Sequence, residues 1–373
     1  MDSHLRTIDK FPALSRREFL RVAASAGAVG AGVVLLGGCG SDDGKGSPTS
    51  TPGTAAEPPP ETTTIRLVRA LSTCFAPLYL AEPFLLAEGF TNVQYVEDAL
   101  GDHGAGQLAK GEVDMSITIA AGLTVAIDRA DKLVVLAGVG NTCFEVFASD
   151  RVQTLRDLKG KRISVYRTDA TDPTHLFIAT LLAYEGIDLK NEVEFVPNLT
   201  NDAPLQLKAG TIDAALSLAP FSKLYKTQNI GHAILDGMND PPWSQYFCCM
   251  ATASRDFAEQ HPVATKRALR AILKATDVCA REPERAARYL VDNARHFGFP
   301  EAYTQAYIDY DDALAHIKML AYGAWRDQDP ADTLRFYALR LREAGLVEHT
   351  PEALVARATD WRYLNEIKRE LAV

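Results

Sequence analysis

The chain lacks the short signatures that mark most enzymes acting on small molecules. Its 373 residues contain no Gly-x-Ser-x-Gly elbow, no His-Glu-x-x-His pair and no Walker loop. Basic runs are absent beyond the N-terminus, and the formal net charge is −9, which argues against nucleic acid and anionic membrane surfaces as partners. No apolar run reaches the roughly 20 residues a bilayer span needs. The six cysteines show no disulfide framework, and a bridge between adjacent Cys248 and Cys249 in one strand would be strained. Asp309, Asp311 and Asp312 cluster without the Gly turn or terminal Glu of a calcium loop, so they read as a solvated face. Apolar residues at 47% and charged residues at 23% are ordinary for a soluble globular protein long enough for two cores.

The N-terminus carries the most specific short signals. Ser15-Arg16-Arg17-Glu18-Phe19-Leu20-Arg21 resembles the twin-arginine export motif, with Arg21 in place of the usual lysine. An Ala/Gly-rich apolar segment follows, and Leu36-Gly37-Gly38-Cys39 resembles the lipobox at which bacterial lipoproteins are cleaved and lipidated. Residues 1–38 are therefore expected to be a signal peptide, with Cys39 the lipidated residue. Residues 39–63 are dense in Ser, Gly, Thr and Pro, and are expected to be a flexible tether between anchor and body. With Cys39 spent on lipid, Cys74, Cys143, Cys248, Cys249 and Cys279 remain and read as buried free thiols.

Beyond the tether, one stretch occurs twice. Gln107-Leu108-Ala109-Lys110-Gly111-Glu112-Val113-Asp114 runs into an apolar strand ending at Ala120-Ala121-Gly122. Gln206-Leu207-Lys208-Ala209-Gly210-Thr211-Ile212-Asp213 does the same and ends at Ala219-Pro220-Phe221. Each copy reads as a helix end, a left-handed glycine stop, an acidic turn and a strand buried on both faces. The match extends upstream through strand, loop, helix and strand: Ile65–Arg69, Pro77–Gly89 and Val93–Val96 against Arg162–Tyr166, Pro173–Gly186 and Val193–Pro197. The copies begin about a hundred residues apart, which suits one α/β lobe each. Two similar lobes imply a cleft between them.

Leu155-Arg156-Asp157-Leu158-Lys159-Gly160-Lys161, at the head of the second copy, carries a family resemblance. The chain resembles periplasmic substrate-binding proteins of the nitrate, sulfonate and taurine import type, relatives of the thiamin-pyrimidine binders. These share a fold with the fungal pyrimidine synthases. The resemblance implies a two-lobed α/β clamp of the periplasmic-binding-protein type II fold, with a helical C-terminal extension on lobe 1. It also implies a monomer that hands a small ligand to an ABC permease, with no cofactor, metal or catalysis. The synthases carry a Cys-rich motif beginning with histidine near the return strand. Here only Cys248 and Cys249 remain, short of a soft-metal ligand set. The expected division is lobe 1 over 64–150, lobe 2 over 151–244, and a return to lobe 1 with C-terminal helices over 245–373.

In parallel α/β sheets ligands bind beyond the carboxyl ends of strands, beside helix N-termini. That rule selects Ser72, Thr73, Phe75, Tyr79 and His103 in lobe 1, with Phe75 and Tyr79 equally readable as core. The small residues Ala121 and Gly122 would let backbone approach the ligand. In lobe 2 it selects Arg167, Thr168, Ala170, Thr171, Asn201, Ser217 and Ala219. Arg167 either binds an anion or pairs with Asp169 or Asp172. Trp243 and Tyr246, ahead of the return strand, either stack on a planar ligand or join the core. The reading is a solute-binding lipoprotein exported by the twin-arginine route to the periplasmic face. Its alternatives are a ligand sensor without a transport role and a pyrimidine-synthase-like enzyme.

Overall fold

The computed structural model describes residues 57–70, 72–98, 101–169, 171–198, 202–218, 221–299 and 309–372. The expected signal peptide, Cys39 and most of the tether lie outside them, as do Ala170, Asn201 and Ala219. The first half runs β1 (Thr64–Arg69), α1 (Ala76–Leu80), α2 (Glu82–Ala87), β2 (Asn92–Glu97), α3 (Ala105–Lys110), β3 (Met115–Ile119), α4 (Ala120–Arg129) and β4 (Leu133–Asn141). The second runs β5 (Phe144–Ala148), β6 (Arg162–Val165), α5 (Pro173–Tyr184), β7 (Glu194–Pro197), α6 (Ala203–Ala209), β8 (Ala214–Leu218), α7 (Ser222–Thr227) and β9 (His232–Asp236). The chain then returns through β10 (Phe247–Ser254) to helices α8 (Arg255–Gln260), α9 (Pro262–Arg281), α10 (Pro283–Asp292), α11 (Tyr310–Met319), α12 (Pro330–Glu343), α13 (Pro351–Ala358) and α14 (Trp361–Glu370).

The strands form two five-stranded sheets, ordered β2-β1-β3-β10-β4 and β7-β6-β8-β5-β9. In the first, β1 to β3 are parallel and β10 is antiparallel to β3 and β4. In the second, β6 to β8 are parallel and β5 is antiparallel to β8 and β9. Each sheet thus takes its one antiparallel strand from a crossing between the halves. Phe144–Ala148 already pairs in the second sheet, so the first crossing falls at Thr142 and Cys143, ahead of the expected boundary at 150. The two crossings lie side by side. Thr142 donates through Oγ1 to the carbonyl of Trp243 at 2.6 Å and through its N–H to that of Tyr246 at 3.2 Å.

The repeated turn has the same physical content in both copies. Gly111 (φ 70°) and Gly210 (φ 73°) close α3 and α6 in the left-handed region, where a Cβ would be penalised. Asp114 then accepts the N–H of Arg66 at 2.7 Å and its guanidinium Nη2 at 2.5 Å. Asp213 accepts the N–H of Arg162 and its Nε, each at 3.0 Å. The acidic turn is therefore a clamp on the head of the first strand of each lobe. The strands behind it, β3 and β8, are buried almost throughout.

Three local expectations differ. The helix expected over Pro77–Gly89 is broken at Ala81, because Pro83 has no N–H to continue the ladder. The strand expected to end at Gly122 stops at Ile119, and Ala120-Ala121 open α4, as suits the best helix-forming residue. The tail is not confined to lobe 1. Helix α12 packs on both α4 and α5, and Tyr337 meets the Phe177 ring at 6.0 Å. On α9, Leu269, Ile272 and Leu273 are buried, and so is Arg270. Buried Arg270 pairs with Glu88 at 2.6 Å and with Glu370 at 2.8 Å.

Candidate functional site

A cleft of about 590 Å³ lies between the carboxyl ends of the two sheets. Lobe 1 contributes Arg69, Ala70 and Ser72 after β1, Glu97 and Asp98 after β2, and Gly101 and His103 in the loop before α3. Lobe 2 contributes Ser164 to Tyr166, the first turn of α5, Asn198, the start of α6, Leu216 to Leu218, and the face of α7 from Phe221 to Thr227.

The lobe 1 loop is held by its own carboxylates. Asp98 accepts the N–H groups of Gly101 and His103 at 3.0 Å each; Asp102 accepts those of Gly104 and Gly106 at 3.0 and 2.9 Å. Burial, with Asp98 nearby, pushes the Asp102 carboxyl above its ordinary value. Gly104 sits at φ 82°, and a Cβ there would lie 2.2 Å from Cγ2 of Val68. His103, itself at φ 56°, stacks on Phe75 with ring centroids 5.0 Å apart. Its buried Nδ1 has no hydrogen-bond partner among the described residues.

Across the cleft, Asp172 caps α5 and is fully buried. It accepts the N–H of His175 at 2.7 Å, that of Arg167 at 3.1 Å and the Thr174 hydroxyl at 2.5 Å. At this helix start the N–H groups of His175 and Arg167 thus already have a carboxylate. Both cations lining the cleft are also paired. Arg69 holds Glu97 at 2.9 Å and the Gly298 carbonyl at 2.9 Å. Lys223 holds Asp312 of α11 at 2.5 Å.

Of the residues expected from sequence, Ser72, His103 and Ser217 line the cleft, with Phe75 directly behind His103. The backbone of Thr73 opens the short turn after Ser72. Tyr79 is core: its hydroxyl donates to the Ala70 carbonyl at 2.8 Å and its ring meets Phe297 at 4.8 Å. Ala121 is buried in α4, and a Cβ on Gly122 would lie 3.9 Å from Leu176, so these small residues serve helix contact between the lobes. Arg167 pairs with Asp169 at 2.9 Å, and Thr171 bonds the same carboxylate through its N–H at 2.8 Å, closing that loop on itself. Thr168, in the same loop, is exposed and off the cleft wall. Trp243 and Tyr246 pack on Phe336 of α12 at 5.2 and 4.1 Å, which takes their faces away from the cleft. Sequence reasoning missed Tyr166, an exposed aromatic at the end of β6, although the strand-end rule was enough to find it. It also missed Lys223 and Arg69, whose pairing partners are distant in sequence.

Beneath the lobe 1 wall the structure gathers four thiols. The Sγ atoms of Cys74, Cys143 and Cys249 all lie within 4.8 Å of one another. Cys143 and Cys248 are 3.2 Å apart, and all four side chains are buried. Hydrogen bonding among these thiols, Cys143 foremost, holds the Cys248 and Cys74 thiols below their ordinary value and pushes Cys143 well above it.

Comparison with known proteins supplies the family. The chain superposes on the periplasmic nitrate-binding protein NrtA of Synechocystis PCC 6803 with a TM-score of 0.65 and 15% identity, over 84% of this chain and 90% of that one. The alkanesulfonate-binding protein SsuA of Xanthomonas axonopodis pv. citri, bound to MOPS, gives 0.60 and 18%, over 82% and 100%. A Candida albicans protein with the generic periplasmic binding protein fold gives 0.57 and 16%, over 80% and 96%. Identities this low establish the two-lobed periplasmic-binding-protein fold. No curated protein matches the sequence. The profile of the NMT1-like family matches residues 58–291, a span that contains every strand of both sheets, and the chain belongs to that family.

Proposed function

We propose that this protein is the solute-binding component of an importer, closing its two lobes around a small ligand and passing it to a membrane permease. The observation that carries the reading is the cleft itself, walled from both sheets at their carboxyl ends. Two crossings are the simplest hinge for such closure, which a ligand drives by fitting the closed state better. The N-terminal signals extend the proposal to twin-arginine export, lipidation at Cys39 and a tether that leaves the monomeric body beside the membrane. Within the cleft, Ser72, His103, Ser217 and Tyr166 are the proposed ligand contacts.

The ligand we infer is a neutral, planar or heterocyclic compound. Relatives by fold bind nitrate and alkanesulfonate, yet here the usual means of holding an oxyanion are occupied. The α5 start is filled by Asp172, the loop N–H groups by Asp98 and Asp102, and Arg69 and Lys223 by Glu97 and Asp312. What remains is hydroxyl, amide, imidazole and aromatic surface, suited to hydrogen bonding and stacking. Thermal unfolding against nitrate, an alkanesulfonate, an aromatic acid and a pyrimidine tests this. A ligand at 100 times its Kd adds about 2.7 kcal/mol, a shift of several degrees. The pyrimidine arm should move the midpoint. A shift with nitrate or sulfonate alone would sink the neutral-ligand reading, and a silent panel with folded, ligand-free protein would favour a sensor of some other compound.

A further inference from the structure

Three of the five described cysteines, Cys74, Cys143 and Cys249, meet at one point with Cys248 beside Cys143, although they come from positions far apart in the chain. Cys74 lies in the turn between β1 and α1, Cys143 in the first crossing between the lobes, and Cys248 and Cys249 at the head of the return strand. Successive strand residues normally face opposite sides of a sheet. Here the β10–β4 register shifts on both sides of Cys249, and an irregular ladder of this kind can bring consecutive side chains towards one point. Cys279, in α9, stands apart and sets the contrast, since a buried thiol needs no company to act as a small apolar side chain.

We propose that Cys74, Cys143, Cys248 and Cys249 form a thiolate site for one thiophilic d10 ion, Zn(II) or Cu(I). Zinc–sulfur bonds of about 2.3 Å in a tetrahedron put ligand sulfurs about 3.8 Å apart. The Cys74, Cys143 and Cys249 sulfurs, all within 4.8 Å, need only small side-chain rotations to reach that geometry. Cys248, 3.2 Å from Cys143 but outside that mutual set, would give Zn(II) a fourth sulfur only after rotating towards it, and three thiolates suffice for Cu(I). The shell is dry, and soft sulfur ligands select these ions over hard oxygen-loving ones. The thiols adjoin the cleft wall, where Ser72 Oγ accepts the N–H of Cys74 at 3.4 Å. Bound metal would tie a lobe 1 turn to both inter-lobe crossings and stiffen the hinge. This holds whatever solute the cleft takes.

The test is titration of the full chain, reduced and freed of metal, with Cd(II) as spectroscopic probe and then with Zn(II) and Cu(I). One Cd(II) per chain should produce a thiolate-to-metal charge-transfer band, retained in Cys279→Ala and lost in Cys143→Ser. Zn(II) should raise the unfolding midpoint of the wild-type chain and not of Cys143→Ser. If Cys143→Ser does not fold, X-ray absorption of the wild-type zinc form decides, with a sulfur-only first shell expected and an oxygen or nitrogen shell overturning the site. Absence of the band in folded, reduced protein would overturn it as well. So would a Cys143–Cys248 disulfide throughout the protein isolated from its native compartment.

Discussion

The two lobes share a frame and differ in what covers it. Both begin on a strand whose head is clamped by the aspartate of the repeated turn, Asp114 on Arg66 and Asp213 on Arg162. Lobe 1 then gains an outer layer. Helix α9 lies along α1 and α2, and Glu88 beyond α2 is buried against Arg270 and Lys274. Lobe 2 meets the C-terminal helices chiefly along the flank of α12 on α5 and at the Lys223–Asp312 bridge to α11. The same half-sequence thus supports a thick, fixed lobe and a thin one held at fewer points. That asymmetry suits a clamp in which one jaw moves, and it teaches that a structural repeat sets strand order while the tail decides rigidity.

Glu88→Ala should have the largest effect on this comparison. Burial alone would raise the Glu88 carboxyl, but Arg270 and Lys274 more than offset this and hold it below its ordinary value. Removing it leaves Arg270 buried without its main partner, at a cost of about 3–5 kcal/mol. Urea unfolding should show the loss; a cost near zero would mean the tail adds no rigidity to lobe 1.

The clamps come next. Asp114→Ala and Asp213→Ala each strip an acceptor from the N–H at the head of a strand, so each should cost about 1–3 kcal/mol. Being in separate lobes, they should add in the double variant. The Asp213 clamp carries a pH signature. Its pairing with Arg162, partly opposed by burial, holds the carboxyl below the ordinary aspartate range. The unfolded chain therefore takes up the proton first as pH falls. The stability from Asp213 is present above the ordinary aspartate value and is lost as pH falls through the lower folded value. The gap between wild type and Asp213→Asn in unfolding curves should close over that acid window. A gap that stays constant would mean the clamp is not ionic.

Lys223→Ala should matter least for stability, under about 1 kcal/mol, because the bridge to Asp312 is half-exposed and screened by salt. Its informative readout is ligand affinity. Loss of this lobe 2 contact with the tail should ease closure and tighten binding of a neutral ligand, whereas weaker binding would make Lys223 a direct ligand contact.

How much of this was legible depended on distance along the chain. The glycine stops, the acidic turns and the apolar strands after them are local, and their repeated order was enough to place both sheets and the cleft between them. His103 and Ser217 followed because strand ends carry ligands in such sheets. Aromatic residues were less readable. Tyr79, Trp243 and Tyr246 have the same side-chain chemistry whether they face a ligand or a helix, and only the arrival of Phe297 and Phe336 assigns them to packing.

The sequence by itself determined the two α/β halves, the left-handed glycines at 111 and 210, the aspartate that follows each, and the buried strands they introduce. These are set by backbone sterics and hydrogen bonding over a few neighbouring residues. Only the tertiary structure decided that Cys74 and Cys143 join Cys248 and Cys249, that Arg69 and Lys223 are neutralised, and that α12 spans both lobes. Each of those joins groups separated by tens to hundreds of residues, and such partners are chosen by how the packed elements meet.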